Sequence, residues 1–232
     1  MPEHGPGEPS TEAVAQRLLL LRHGEVATHR GDAAVTAQGL TAATEAGQRL
    51  RKSCQGPLVI LSAETRRARQ TANAIASGAR SVGTLVMEPM VAFALRNPDL
   101  YLAGTRVDMV SSAAAFADQV PGLSQAAVMS ASFFAGFLQA GDRIGWWLYH
   151  PDPPGEDAPT VRRRIMAFAR SLADLGTGAP QVTVALTHSP VLRACALGTL
   201  GHDPGEPGWL AGLDALIHPD RSVQLSWLAG AP

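Results

Sequence analysis

Hydrophobic residues fall in short unbroken runs separated by longer amphipathic stretches. Residues 17–21 hold four consecutive leucines and stop at Arg22-His23-Gly24. A run this short that ends in glycine predicts a strand buried on both faces, followed by a loop. Residues 57–61 repeat the pattern ahead of Ser62, and residues 182–186 repeat it ahead of Thr187-His188-Ser189. Residues 84–87 and 222–228 predict further strands. Between these runs the period changes. Leu40, Ala43, Gly47 and Leu50 share one face over 39–52, and Ala68, Ala72, Ile75 and Ala76 share one over 66–77, ending before Gly78. Val161, Ile165, Phe168, Leu172 and Leu175 make 160–175 a strongly amphipathic helix, closed by Gly176 and Gly178. Residues 190–200 predict a last helix, with Pro190 tolerated in its first turn. Alternating strands and helices predict an α/β three-layer sandwich: a mainly parallel central sheet with helices on both faces. No internal repeat is visible.

Residues 88–157 break this rhythm. They contain Pro89, Pro98 and Pro121 and the proline-rich stretch 151–154. Within them 123–138, rich in Ala and Phe, predicts a helix, and Trp146, Trp147 and Tyr149 are expected to pack around it. Long excursions from compact domains are usually functional, so 88–157 is expected to be an inserted helical cap over the site. Residues 1–16 are polar, rich in Pro, Gly and Glu, and expected to form a loose tail. The remainder, 17–232, is expected to be a single domain.

Composition narrows the partners. Among 232 residues, 46% are hydrophobic and 17% charged, with a formal net charge of −1, so no bulk charge favours nucleic acid or an anionic membrane. Anion binding must then come from a few placed arginines. Two cysteines, Cys54 and Cys195, are too few for a disulfide framework and predict free thiols in a reducing compartment. No apolar run has spanning length and the N-terminus has no apolar secretory core, which sets the expectation of a cytoplasmic protein. His4, His150, His202 and His218 show no ligand spacing, so neither metal nor other cofactor is expected.

Ligands of open parallel sheets bind at the carboxyl ends of the strands. Three such ends here carry Arg22-His23-Gly24-Glu25, the turn from Ser62 to Arg67, and His188. Two imidazoles and two guanidinium groups can converge there. Arginine forks match phosphate oxygens, and a neutral imidazole nitrogen can attack phosphorus.

These segments carry a resemblance. Leu21-Arg22-His23-Gly24-Glu25 resembles the signature of the histidine phosphatase (phosphoglycerate mutase-like) superfamily. Val35-Thr36-Ala37-Gln38-Gly39 resembles the family's following Leu-Thr-x-x-Gly segment. Ser62 through Arg67-Ala68-Arg69-Gln70-Thr71-Ala72 resembles its second, phosphate-binding segment, and Leu186-Thr187-His188-Ser189 the segment of its second histidine. The four lie in order between residues 18 and about 200. The resemblance implies that His23 is the nucleophile that becomes phosphohistidine. It also implies that Arg22, Arg67 and His188 hold the phosphoryl oxygens. Nearby guanidinium charges favour a neutral His23, and Gly24 lets the backbone approach the anion.

The resemblance is incomplete. In the family's Leu-x-Glu pattern a Glu donates the proton, and here Leu95-Arg96-Asn97 puts an amide there. Asp99 is the first expected substitute, then Glu88, then Glu156. The family's Asn after the signature is also absent, with His29 near its place. Gly24, Glu25, Thr36, Glu88 and Ser189 are expected around the substrate, while Arg162, Arg163 and Arg164 are expected on an exposed helix face, one of them able to reach a second anion. The expected activity is phosphomonoester hydrolysis of a small phosphorylated substrate without a metal. The alternatives are mutase-type phosphoryl transfer and an inert phosphate-binding module.

Overall fold

The computed structural model describes residues 16–28, 31–50, 56–175 and 181–232. The expected tail, His4, His29, Cys54, Gly176, Gly178 and the end of the 39–52 helix lie wholly or almost wholly outside these residues. Eight strands and eight helices follow in the order β1 (Gln16–Arg22), α1 (Ala37–Leu50), β2 (Leu58–Ser62), α2 (Arg66–Ser81), β3 (Met90–Val91), β4 (Leu100–Leu102), β5 (Thr105–Val107), α3 (Ala113–Ala117), α4 (Gln125–Ser130), α5 (Ser132–Gln139), α6 (Arg143–Tyr149), α7 (Ala158–Ser171), β6 (Gln181–Thr187), α8 (Ser189–Leu200), β7 (Gly212–Ile217) and β8 (Val223–Leu228). The central sheet has the order β3-β2-β6-β1-β7-β8. Its first four strands are parallel, and β7 and β8 are each antiparallel to their neighbour.

Successive strand residues point to opposite faces. All of Leu18–Leu21 are at most 1% exposed, so both faces of β1 are covered. Helices α1 and α2 pack on each other, and α2 lies against β2 and β6; α7 and α8 pack on each other and against β7 and β8, and α8 also meets β1. This is the expected α/β sandwich. Thr36 opens α1: its hydroxyl accepts from the Gly39 amide at 3.0 Å, an N-cap that satisfies one otherwise unpaired donor. Asp157 caps α7 in the same way through the Thr160 amide.

The structure departs from the sequence pattern at three places. Residues 84–87 form only an isolated bridge, Val86 opposite Leu58, and the edge strand lies further on at Met90–Val91. The apolar stretch 123–138 is two helices, because Ala131 between them is extended (φ −79°, ψ 109°). β7 was not expected at all. It fills the position beside β1, where Arg17 and Asp214 form a bidentate pair at 2.6 and 3.0 Å.

The segment between β3 and α7 holds the β4–β5 hairpin and α3 to α6. Ser112, Ser124 and Asp142 cap three of these short helices. Phe116, Phe133, Phe134 and Phe137 meet edge-on or stacked with ring centres 5.0–6.2 Å apart. Trp147 is fully buried beside them and donates from its indole to the Glu156 carbonyl, while Trp146 and Tyr149 are exposed.

Glycine sets the approach of α1 to α2. A Cβ on Gly47 would overlap the Ile75 carbonyl, and one on Gly78 the Thr44 carbonyl. The two backbones therefore touch, which fixes α2 and the side chains at its start. Gly78→Ala is expected to lower the unfolding free energy by about 1–3 kcal/mol through overpacking, measured by urea denaturation. A change well under that range would show the contact to be soft.

Candidate active site

β1, β6 and β2 are adjacent and parallel, so their carboxyl ends lie together. Arg22 pairs in register with Thr187, and Ser62 with Leu186. His23 and His188 each follow directly, and their rings meet edge to face with centres 5.4 Å apart. Both are nearly inaccessible, at 3% and 2% exposed. The chain after β2 turns into α2, whose second residue is Arg67.

Fixed hydrogen bonds tie these segments together. The Gly24 amide donates to the Thr71 hydroxyl at 2.8 Å, and that hydroxyl donates to the Arg67 carbonyl at 2.7 Å. The loop after β1 is thus bound to the first turn of α2. His23 Nδ1 lies 2.8 Å from the Gly24 carbonyl. A carbonyl only accepts, so Nδ1 carries the hydrogen and Nε2 of the neutral ring carries the lone pair. His188 Nε2 lies 3.1 Å from the Thr65 hydroxyl. Burial, followed by the charges of Arg67, His23 and Arg22, holds the His188 pKa well below the usual histidine value.

The arginines are strongly held. Arg22 pairs with Glu206 at 2.7 Å, donates to the Pro207 carbonyl, and lies with its guanidinium 3.8 Å above the Trp209 ring centre. The same tryptophan ring is 5.5 Å from His23. Arg67 has a looser counter-charge, Asp32 at 3.8 Å. Burial lowers the proton affinity of both arginines. Both Nε atoms are buried without a hydrogen-bond partner. A buried donor left without an acceptor costs about 1–3 kcal/mol, more when charged. Arg22, His23, Arg67 and His188 line one cavity of about 400 Å³, which Asn97, Ser189, Glu206 and residues 109–111, 137 and 141–144 complete.

Residues 18–89 match the model of the Histidine phosphatase superfamily (branch 1). The match runs from β1 through α2 and takes in Arg22, His23 and Arg67, so over that segment the chain is similar to this superfamily. No curated protein matches the chain. Solved structures of similar fold include a protein titled Mycobacterial hydrolase 1, with 22% identity, TM-score 0.59, and 94% of this chain and 99% of that one covered. A mycobacterial glucosyl-3-phosphoglycerate phosphatase gives 20% identity, TM-score 0.59, and 93% and 99% coverage. A phosphoserine phosphatase mutant from Entamoeba histolytica gives 16%, 0.57, and 93% and 98%. At these identities the likeness is one of fold.

Within the matched segment, Glu25 and Thr36 hold each other rather than the cavity: the Thr36 hydroxyl donates to the Glu25 carboxylate at 2.8 Å. Glu88 is exposed and paired with Arg80 at 2.9 Å. Beyond the segment, Ser189 lines the cavity and donates to Glu206 at 2.5 Å.

Asp99 does not line the cavity. Arg96 and Arg106 grip its carboxylate at 2.5–3.1 Å and hold it at a pKa of about 2, against the pull of burial. Glu156 is likewise taken, by Arg164 at 3.0 Å. Arg162 and Arg163 bond to Thr199 and Thr160, so none of the three helix arginines faces the cavity. The cavity instead receives Arg143, Asp142 and Glu206, and Trp209 lies against Arg22; none of the four carried a motif in the sequence. Among the described residues no three His, Cys, Asp or Glu side chains cluster as a metal site, and no helix is long and apolar enough to cross a membrane.

The depressed His188 pKa has a consequence with a definite sign. Below about pH 6.5 the unfolded chain takes up a proton that folded His188 refuses, so its share of stability is present above that pH and lost as pH falls. Thermal midpoints measured between pH 7.5 and 5.5 are expected to fall less in His188→Gln than in the wild type. Equal slopes would show that this imidazole titrates normally.

Proposed function

We propose that the protein is a phosphomonoester hydrolase that works through a phosphohistidine at His23. The observation that carries this reading is the pair of unsatisfied, buried guanidinium Nε donors of Arg22 and Arg67, in one cavity with the His23 and His188 rings. A tetrahedral dianion supplies the acceptors those donors lack. Arginine forks and the His188 ring hold the equatorial oxygens, where charge accumulates in the transition state. His23 Nε2 attacks phosphorus, the ester P–O bond breaks, and the leaving oxygen takes a proton. Water then attacks the phosphohistidine, releasing phosphate and restoring the imidazole. The fold likeness to proteins titled as phosphatases supports the same class. No observation specifically favours the mutase or the inert module.

The proton has few possible sources. Of the two carboxylates at the cavity, Asp142 is held at a pKa of about 2 by its bonds to Arg193. Glu206 is half exposed and bound to Arg22 and Ser189. A phosphate dianion arriving at Arg22 replaces that attraction with a like charge, which draws a proton onto one of the two anions. We assign the proton transfer to the leaving oxygen, and from the later water, to Glu206.

Turnover of 4-nitrophenyl phosphate is expected to vanish in His23→Ala. An acid-labile, base-stable phosphoryl adduct should be trapped on the wild type by rapid quench. Full activity in the variant would end the reading. For Glu206→Gln, kcat/KM is expected to fall about 10²-fold or more with an alkyl phosphate and far less with the nitrophenyl ester, whose leaving oxygen needs no proton. An equal loss with both esters would remove Glu206 from proton transfer.

A further inference from the structure

Arg143, at the start of α6, lines the cavity among Met109, Val110, Phe137 and Ile144. Its Nε is buried without a hydrogen-bond partner, and among the described residues it makes no ion pair. That combination sets it apart from the other arginines removed from solvent: Arg162 has no ion pair but donates from Nε to Thr199, and the rest have a carboxylate. Arg17 has Asp214, Arg22 has Glu206, Arg67 has Asp32, Arg96 has Asp99, Arg164 has Glu156, and Arg193 has both Asp142 and Asp203.

The carboxylate next in sequence cannot turn to neutralise it. Asp142 Oδ1 accepts from Arg193 at 2.8 Å and from the Gly145 amide at 2.9 Å, and Oδ2 accepts from Arg193 at 2.6 Å. A half-buried cation without a counter-charge is expensive, and a ligand anion is what relieves it. Met109, Val110, Phe137, Ile144 and Pro190 give the wall an apolar part, while of its polar members Asp142 is taken by Arg193, Ser189 and Glu206 are bonded to each other, and Asn97 and Ser111 remain. A polyhydroxylated leaving group would lose its water there without regaining hydrogen bonds, whereas a flat apolar body would not. A volume of about 400 Å³ fits a ring-sized group beyond the phosphoryl site.

We propose that Arg143 binds a second anionic group on the substrate, so the preferred substrates are phosphate monoesters with an apolar, ring-sized body ending in a carboxylate. This rests on the hydrolase reading for turnover, but not for binding. The test compares phenyl phosphate with 4-carboxyphenyl phosphate on the full chain. The wild type is expected to prefer the carboxylated ester by about 10- to 100-fold in kcat/KM, the range for a hydrogen-bonded charge pair. That ratio should collapse toward one in Arg143→Met and be partly restored in Arg143→Lys. A wild-type ratio near one, or a ratio retained in Arg143→Met, overturns the proposal. Should no ester be turned over, the hydrolase reading fails by itself. Calorimetric affinities of 4-carboxyphenylphosphonate and phenylphosphonate then decide the role of Arg143 by the same ratio. If Arg143→Met does not fold, loss of the preference in Arg143→Gln supports the proposal and its retention overturns it.

Discussion

The in-register parallel pairing of β1 with β6, and of β6 with β2, is the constraint from which the site follows. Because Arg22 lies opposite Thr187 and Ser62 opposite Leu186, three chain segments leave the sheet along one edge. Backbone bonds just past the strands lock this exit: the His23 amide donates to Thr187 at 3.1 Å and the Ala63 amide to Leu186 at 2.9 Å. Burial alone does not choose the register, since Leu18–Leu21 are identical and equally covered. Slipping them by one residue would exchange one leucine for another. The flanking charges choose it. Arg17 must meet Asp214 on β7 while Arg22 meets Glu206, and a slip would turn both to the wrong face. The residues that bound the strand are therefore also the ones that deliver His23 beside His188.

A second constraint is charge. Buried cations are tolerated when each has a partner, and losing one partner of a buried pair costs about 3–5 kcal/mol. Arg193 is 1% exposed and joins Asp142, at the start of α6, to Asp203, in the loop after α8. One guanidinium thus fastens the start of α6 to the loop after α8. It also steadies the 201–211 loop, which brings Glu206, Pro207 and Trp209 onto Arg22. The bond that holds the start of α6 in place withdraws Asp142 from Arg143. Attachment of α6 and an unneutralised cation in the cavity are two results of the same interaction.

The sequence made the sandwich legible because its strands are unbroken apolar runs and its main helices keep a 3.6-residue period. It hid β7, whose Gly212–Ile217 stretch carries Asp214 in its middle and reads as neither pattern until Arg17 supplies the partner. It hid the break at Ala131, because both short helices are apolar on either side of it. At the site, Arg22, His23 and His188 could be read from their places at strand ends and Arg67, in the first turn of α2, from the resemblance of its segment; the four line one cavity. The carboxylates could not. Asp99, Glu88 and Glu156 were expected from nearness in sequence, yet each is claimed by an arginine whose position only the fold reveals. Glu206 and Trp209 sit in a Pro- and Gly-rich loop with no periodicity, so nothing local indicated that they face Arg22.

The amide at Asn97 makes physical sense once that loop is in view. The turn before it is rigid: the Leu95 carbonyl accepts from Thr187, and the Ala94 and Arg96 carbonyls from Arg164. Asn97 itself is buried and lines the cavity, so a carboxylate there would share the cavity with Glu206. A carboxylate added to Asp142 and Glu206 would offset more of the positive charge that Arg22, Arg67 and Arg143 bring to the cavity, at effective dielectric constants where such terms amount to several kcal/mol. On the proposed reading, a neutral residue at 97 can still bond to a leaving oxygen and adds no third carboxylate to Asp142 and Glu206, of which Glu206 is the one bound to Arg22.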